Sequence, residues 1–474
     1  MNNKNSANSQ SKRQKISKIE VTNDVLSSRS GLFFLMEYFE KLGLVSRFES
    51  KFKQFEKSNK GLRIKDYFKQ FFSFLFDGTN MNLSYFDELK EDTAYSELIK
   101  TDQSDMASSH SIKRMTKKFN GSNREVNIFR DALTDLFIHN LRSQQPAVVE
   151  LGIDTMVLNN DDSKQKEGCN PTYKNVKGYQ PLQIYWNGML VDAIFREGQC
   201  HSNHSDDVQT TMKKLVAKIR KALGPKIPII VAMDSGFLSD ENFTYFEEVL
   251  KIHYVCVGKM YNSIKDYIGE LPSSNRNIFY GSHNWDYIEL GNKLKSWKKF
   301  RRAVYVQQQL DLSSSQLILD FARSDRILYS NIGITPDADN NLRGVGIEKY
   351  LTAEYIIETH HSRAKDELIN REFKDFMTKE KLPFKSFNSN QVYYFLMAIS
   401  FSVIRNFQRK VIPDVLYSNS RISTFRRMFI DIPGKIVSHA RYKTLKVSKL
   451  YFDKLKLLMV RSQCNDESHK LSYY

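Results

Sequence analysis

Residues 148–158 read VVELGIDTMVL, a run of β-branched and aliphatic side chains broken by Glu150 and Asp154. That composition predicts a buried strand. Asp154 lies in the middle of it, where a carboxylate is costly unless it is satisfied. Downstream, residues 178–186 and 189–196 flank Asn187–Gly188, a two-residue hairpin signal. A helix fits 206–223. Residues 228–234 read PIIVAMD, a short buried strand ending on Asp234. A helix over 239–250 and a strand over 252–257 follow.

The order strand, strand, strand, helix, strand, helix, strand predicts an α/β sheet with one antiparallel hairpin, the ribonuclease-H-like order. Upstream, residues 25–141 carry helical periodicity, as in Tyr67, Phe68, Phe71, Phe72, Leu75 and Phe76. Downstream, 277–280, 285–290, 303–309, 315–319 and 327–330 are short strand candidates. A long polar helix fits 352–377, and a more apolar one lies around 392–407. The expected organisation is a flexible basic tail over 1–24, a helical region over 25–145 and the first part of the mixed sheet over 146–258. An all-β insertion over 259–345, the second part of the sheet domain over 346–410 and a basic helical region over 411–474 complete it.

Composition narrows the class. The 474 residues suggest about three structural units. Hydrophobic residues at 41% exclude wholesale disorder. Lys and Arg number 71 against 54 Asp and Glu, a net charge of +17 that favours a polyanionic partner. Four cysteines without a CxxC pair indicate neither a disulfide framework nor a zinc knuckle. The most apolar run, 392–404, has 13 residues, short of the roughly 20 that a bilayer span needs. No membrane association is expected, and the expected compartment is the cytoplasm, with access to the nucleoid.

Three carboxylates stand out by position: Asp154, Asp234 and Glu367. In the ribonuclease-H-like order, strands one and four are neighbours and a later helix crosses them, so the three converge. Oxygen donors of this kind suit hard cations such as Mg²⁺. For each there is a plainer reading: Asp234 before Ser235–Gly236 also caps a turn, and Glu367 also fits an exposed salt-bridged helix. His360, Arg363, Glu367 and Lys374 follow at spacings of 3, 4 and 7, which puts all four on one helix face.

Taken together, these segments resemble the DDE transposases of bacterial insertion sequences. The branch is the one with an all-β insertion and a Tyr-x2-Arg-x3-Glu-x6-Lys signature. The likeness is carried by Gly152-Ile153-Asp154-Thr155, Gly178-Tyr179-Gln180-Pro181-Leu182, Arg196-Glu197-Gly198 and Asp234-Ser235-Gly236-Phe237. Arg363, Glu367 and Lys374 continue it, as do Arg426-Arg427 with Ile432-Pro433-Gly434-Lys435-Ile436. His360 stands where the signature has Tyr. The resemblance implies cut-and-paste DNA transposition. Asp154, Asp234 and Glu367 would be both the catalytic residues and the ligands of two Mg²⁺ ions, with Mn²⁺ as a substitute. Double-stranded DNA, as element ends and target, would be the partner of a homodimer assembled on it.

Charge placement agrees with DNA as the partner. Residues 405–461 hold 14 Lys or Arg against three Asp or Glu. The expected DNA contacts are His360, Arg363, Lys374, Arg426, Arg427 and Lys435. The helical region 25–145 is expected to bind DNA too, with Lys113, Arg114, Lys117 and Lys118 as groove or backbone readers. Trp285 and Trp297 are candidates for stacking on a displaced base, or for core. Two other readings remain open: a domesticated, non-catalytic DNA-binding protein, and a metal-dependent nuclease without strand transfer.

Overall fold

The computed structural model describes residues 16–56, 61–162, 165–281, 284–308, 325–344, 346, 348–362, 364–377, 380–413, 415–416 and 420–472. The strand candidate at 315–319 and Arg363 lie outside the described residues. A short strand, β1 (Val25–Ser27), leads into seven helices. These are α1 (Leu32–Leu42), α2 (Leu44–Phe52), α3 (Ile64–Asp77), α4 (Tyr85–Glu91), α5 (Thr93–Leu98), α6 (Ser109–Thr116) and α7 (Asn123–Gln144). Their rings form one aromatic core. Phe48 stacks on Phe68 with centroids 4.6 Å apart, and Phe52 meets Phe119 edge-on at 5.1 Å. Each such ring, fully buried, contributes about 1.5–3 kcal/mol.

The chain then changes period, as expected. β2 (Val149–Thr155) is followed by β3 (Leu158–Asn159), β4 (Asn170–Pro171) and β5 (Lys177–Tyr179), which make a small sheet in the order β3-β5-β4. Next come β6 (Leu182–Trp186) and β7 (Met189–Ile194), joined at Asn187 and Gly188 with φ of 45° and 75°. Two left-handed residues define the tight turn whose twist suits a hairpin. The strand expected over 178–186 is split, because Pro181 has no N–H for a ladder. After α8 (Asp207–Leu223) come β8 (Ile229–Met233), α9 (Asp240–Thr244) and β9 (His253–Val257).

The region expected to be an all-β insertion is not all-β. It begins with α10 (Asn262–Glu270), whose Ile264 and Ile268 are buried one turn apart. It continues with β10 (Asn277–Tyr280), β11 (Asn284–Asn292), β12 (Arg301–Gln308) and β13 (Asp325–Ser330), then α11 (Pro336–Gly344). These strands do not form a sheet of their own. β13 pairs antiparallel with β9, so among the described residues the central sheet has nine strands in the order β10-β11-β12-β13-β9-β8-β2-β6-β7. β2 and β9 run parallel to β8 on either side of it.

Helix flanks residue 363 on both sides, as α12 (Ala353–Ser362) and α13 (Ala364–Phe376). The apolar run 392–404 lies inside α14 (Phe387–Lys410), which is buried along most of its length against the N-terminal helices. No described helix is long and apolar enough to cross a membrane. α15 (Ile422–Phe425) precedes a hairpin, β14 (Gly434–Ser438) and β15 (Lys443–Val447), and α16 (Lys449–Lys454) and α17 (Leu457–Cys464) close the chain. The C-terminal region is therefore not wholly helical: β14 pairs with β1, about 400 residues earlier. Lys435, Lys443 and Lys446 on this hairpin mask the alternation in the sequence; Lys443 and Lys446 lie on β15, an edge strand, where such charges are common.

The two faces of the central sheet are distinct. Leu151, Ile153, Val231 and Met233 pack with α8. Ile230 and Val255 pack with Ile356 and Ile357 of α12. Strand side chains alternate between faces, so Asp154 and Asp234 project toward α12 and α13. Across the sheet, the Arg130 guanidinium of α7 donates to both Asp192 oxygens, at 2.8 and 2.6 Å, and clamps β7 to the helical unit.

Candidate active site

Register brings two of the three carboxylates together. Ile153 of β2 pairs with Met233 of β8 in a parallel ladder. Asp154, still in β2, and Asp234, the residue just after β8, follow at the next position, where neighbouring strands run about 4.8 Å apart, and on one face. Asp154 is half-buried. Its Oδ1 accepts from the Thr155 N–H and its Oδ2 from the Asn370 side-chain amide, both at 2.8 Å. Asp234 Oδ1 accepts from the Gly236 N–H at 2.8 Å, so it also caps its turn. A Cβ on Gly236 would lie 2.5 Å from Ser202 Oγ and 3.0 Å from Asp234 Oδ1, so a side chain there would force Ser202 to shift beside the aspartate.

Glu367 arrives from α13. It is exposed and lines a cavity of about 980 Å³ together with Asp234, Lys259, Tyr261, Arg326 and His360. Leu368 and Ile369 line a neighbouring groove with Gly152 and Ala232, the residues two positions before the aspartates. α13 therefore lies over the aspartate face of the sheet. Among the described residues, however, no three His, Cys, Asp or Glu side chains come close enough to hold one metal ion. Two adjacent aspartates and a nearby glutamate are the oxygen donors that a hard divalent cation takes. The donor set fits such an ion in kind; strand register puts the two aspartates on one face, and Glu367 lines the cavity with Asp234.

The sequence did not point to Asn370. It lies three residues after Glu367, which is the signal that could have found it. Its carbonyl accepts from Tyr185 of β6, whose hydroxyl also contacts Gln183. Gln183 is the antiparallel partner of Asp154 and bonds Tyr394 of α14 at 2.6 Å. A buried polar chain thus runs from α14 to the Asp154 carboxylate. Such chains hold their members in one geometry.

The basic candidates fall into different places. His360 is only 7% exposed, and its Nε2 lies 2.8 Å from Arg326 Nη1. A guanidinium can only donate, so this imidazole nitrogen accepts. His360 therefore orients Arg326, an exposed cation on the cavity wall that the sequence reading missed. Lys374 is paired with Glu380 at 3.0 Å, and Glu380 accepts from the Asn159 N–H at 2.7 Å. Arg427 is exposed, with 84% of its side chain in solvent, and Lys435 pairs with Asp24 at 2.8 Å on the surface. Lys113, Arg114, Lys117 and Lys118 are exposed around α6, while Ile112, Met115 and Phe119 face the core.

Arg426 corrects the expectation of a DNA contact. Its guanidinium donates to the carbonyls of Leu75 and Phe76 at the end of α3 and lies 4.8 Å from the Phe376 ring centroid. Burial pulls its pKa down to about 10, against the opposing pull of Asp77 and Asp431. It satisfies carbonyls that a helix C-terminus leaves open. Arg426→Ala is expected to lower unfolding stability by about 1.5–3 kcal/mol, the worth of charged hydrogen bonds. Denaturant titration checks this. Trp285 and Trp297 are both buried, which settles them as core.

No curated protein matches the chain. A chain in the cryo-EM structure of a piggyBac transposase synaptic complex with hairpin DNA is similar at 12% identity, with a TM-score of 0.41. That similarity covers 92% of this chain and 82% of the other. The model of the family described as "Transposase DDE domain group 1" matches residues 9–464, nearly the whole length, and the chain therefore belongs to that transposase family.

Proposed function

We propose that this family member is an active insertion-sequence transposase that cuts double-stranded DNA at the element's ends and joins them to a target. The observation that carries the reading is the parallel register that sets Asp154 beside Asp234, on the face crossed by the helix of Glu367. The strand order β9-β8-β2-β6-β7 supports a ribonuclease-H-like catalytic core for 146–258 and 346–410. Residues 25–145 and 411–474 would form the DNA-binding parts of a homodimer, acting in the cytoplasm at the nucleoid.

Asp154 and Asp234 would hold Mg²⁺, or Mn²⁺ in its place, with Glu367 closing on the site as DNA fills the cavity. Bound metal would activate the attacking oxygen and stabilise the leaving one. The chain's own groups do the rest. Asn370 keeps the Asp154 carboxylate from rotating, through a 2.8 Å bond. Arg326 and Lys259 bring positive charge to a cavity that receives a phosphodiester, where charge develops on phosphoryl oxygens. Arg363, outside the described residues, is proposed from the sequence alone as a further phosphate ligand.

Asn370→Ala is expected to weaken Mn²⁺ binding about 10- to 100-fold, as loss of a group behind a metal ligand typically does. Calorimetric titration with Mn²⁺ alone measures it, and unchanged affinity would remove Asn370 from the site. The reading as a whole is tested on DNA carrying the flanking ends of the protein's own gene, with and without Mg²⁺. Joined products support the transposase. Cut but unjoined DNA would mean a nuclease, and bound but intact DNA a non-catalytic binding protein.

A further inference from the structure

Two exposed tyrosines stand near these acids, and the reading so far uses neither. Tyr173 is 62% exposed at the tip of the turn between β4 and β5. That turn is well built: the Thr172 N–H donates to the Val176 carbonyl at 2.9 Å, and the Asn175 N–H to the Thr172 carbonyl at 3.0 Å. The hairpin is seated on the segment after β7. Asn170 bonds Glu197 at 3.0 Å, and a Cβ on Gly198 would fall 2.1 Å from the Asn170 carbonyl. From Gly198 the chain reaches Ser202, whose Oγ is 3.2 Å from Thr155 Oγ1, next to Asp154. The hairpin is thereby tied at its base to the segment that meets the end of β2 at Thr155. Its phenol pKa is raised, first by partial burial and then by the charges of Asp154 and Asp234.

Tyr261 stands on the other side. It follows β9, the neighbour of β8 away from β2, and is 43% exposed in the cavity that Asp234 and Glu367 line. Each ring has a cation nearby. Lys174 Nζ is 5.8 Å from the Tyr173 centroid, and Lys259 lines the cavity beside Tyr261. An exposed ring beside a cation suits a base stacked next to its phosphate. The two tryptophans offered for stacking by the sequence are buried, so they do not compete for this role.

We propose that Tyr173 and Tyr261 stack on the nucleotides on either side of the phosphodiester that Asp154 and Asp234 address, and hold the strand across the carboxylates. This rests on the transposase reading. The test uses the full chain and a duplex of the gene's flanking ends, with 5-iodouracil at the two nucleotides flanking the cleavage point. Irradiation without divalent metal keeps the DNA intact. Crosslinks are expected at Tyr173 and Tyr261. Tyr173→Ala and Tyr261→Ala should each abolish their own crosslink and slow Mg²⁺-dependent cleavage about tenfold or more, the scale of one lost stacking contact. Tyr173→Phe and Tyr261→Phe should retain both, because stacking needs only the ring.

Crosslinks that map elsewhere would overturn the assignment. So would alanine variants that cleave at the wild-type rate, or phenylalanine variants as impaired as the alanine ones. Neither side chain is part of a buried core, so the variants are expected to fold. If the wild-type protein neither binds nor cuts the duplex, the transposase reading fails and the assignment falls with it. If it cuts normally and the variants do too, only the tyrosines are wrong.

Discussion

Asp154→Ala is expected to slow DNA cleavage by at least roughly a hundredfold, the usual cost of removing one preorganised group from a charge-developing transition state. Binding of the end duplex should survive, because the exposed cations around α6 and on the C-terminal hairpin lie outside the aspartate pair. The loss is chemical more than structural. Asp154 is half-buried and makes two hydrogen bonds of 2.8 Å, so removing it leaves the Asn370 amide without that acceptor. The stability cost is about 1–3 kcal/mol. Asp154→Asn, which keeps the shape and loses the charge, should be equally inactive. Cleavage of a labelled end duplex in Mg²⁺ and in Mn²⁺, beside a gel-shift titration, measures both sides. Nicking by Asp154→Ala at the wild-type rate would remove Asp154 from the site.

The second large effect concerns salt. Each phosphate neutralised on duplex DNA contributes about −0.9 to the slope of log affinity against log salt. Replacing Lys113, Arg114, Arg427 and Lys435 together by Ala should therefore flatten the slope by roughly 3 to 4, with a loss of affinity on the order of a hundredfold at low salt. All four are on the surface, and the Lys435–Asp24 pair is exposed on both sides. An exposed pair of that kind is worth about 0–1 kcal/mol, little enough for a phosphate to displace it. Arg426→Ala should leave the slope as it is, because its guanidinium is spent on α3 carbonyls. An unchanged slope in the fourfold variant would mean that these side chains are merely solvated.

Much of the sheet was legible because its signals are local. The Asn187–Gly188 turn, the apolar runs that became β2 and β8, and Asp234 before Ser-Gly each depend on a few neighbouring residues. So did α10: Ile264 and Ile268 carry a helical period, though the β-rich stretch after them concealed it. The individual roles of the basic residues were not legible. Arg426 and Arg427 are adjacent in sequence and equally basic, yet one is bound to helix carbonyls and the other stands in solvent. Lys374 had the spacing of a phosphate ligand and is taken by Glu380. His360 sits at a signature position and turns toward Arg326. Charge in a sequence states an amount; only packing states where the charge points.

By itself the sequence determined most strand and helix segments of the α/β core, the net positive charge, and that Asp234 ends its strand; that β2 stops at Thr155, one residue past Asp154, came from the structure. These follow from side-chain periodicity and local backbone preference, which act over a few residues. Tertiary structure alone decided that β13 joins β9 in the central sheet, that β14 closes on β1, and that Asn370 reaches Asp154 through α13. Pairings between distant segments are chosen by which faces can be buried together and which polar groups then find partners. That choice is made by the whole chain at once, and no short window of sequence contains it.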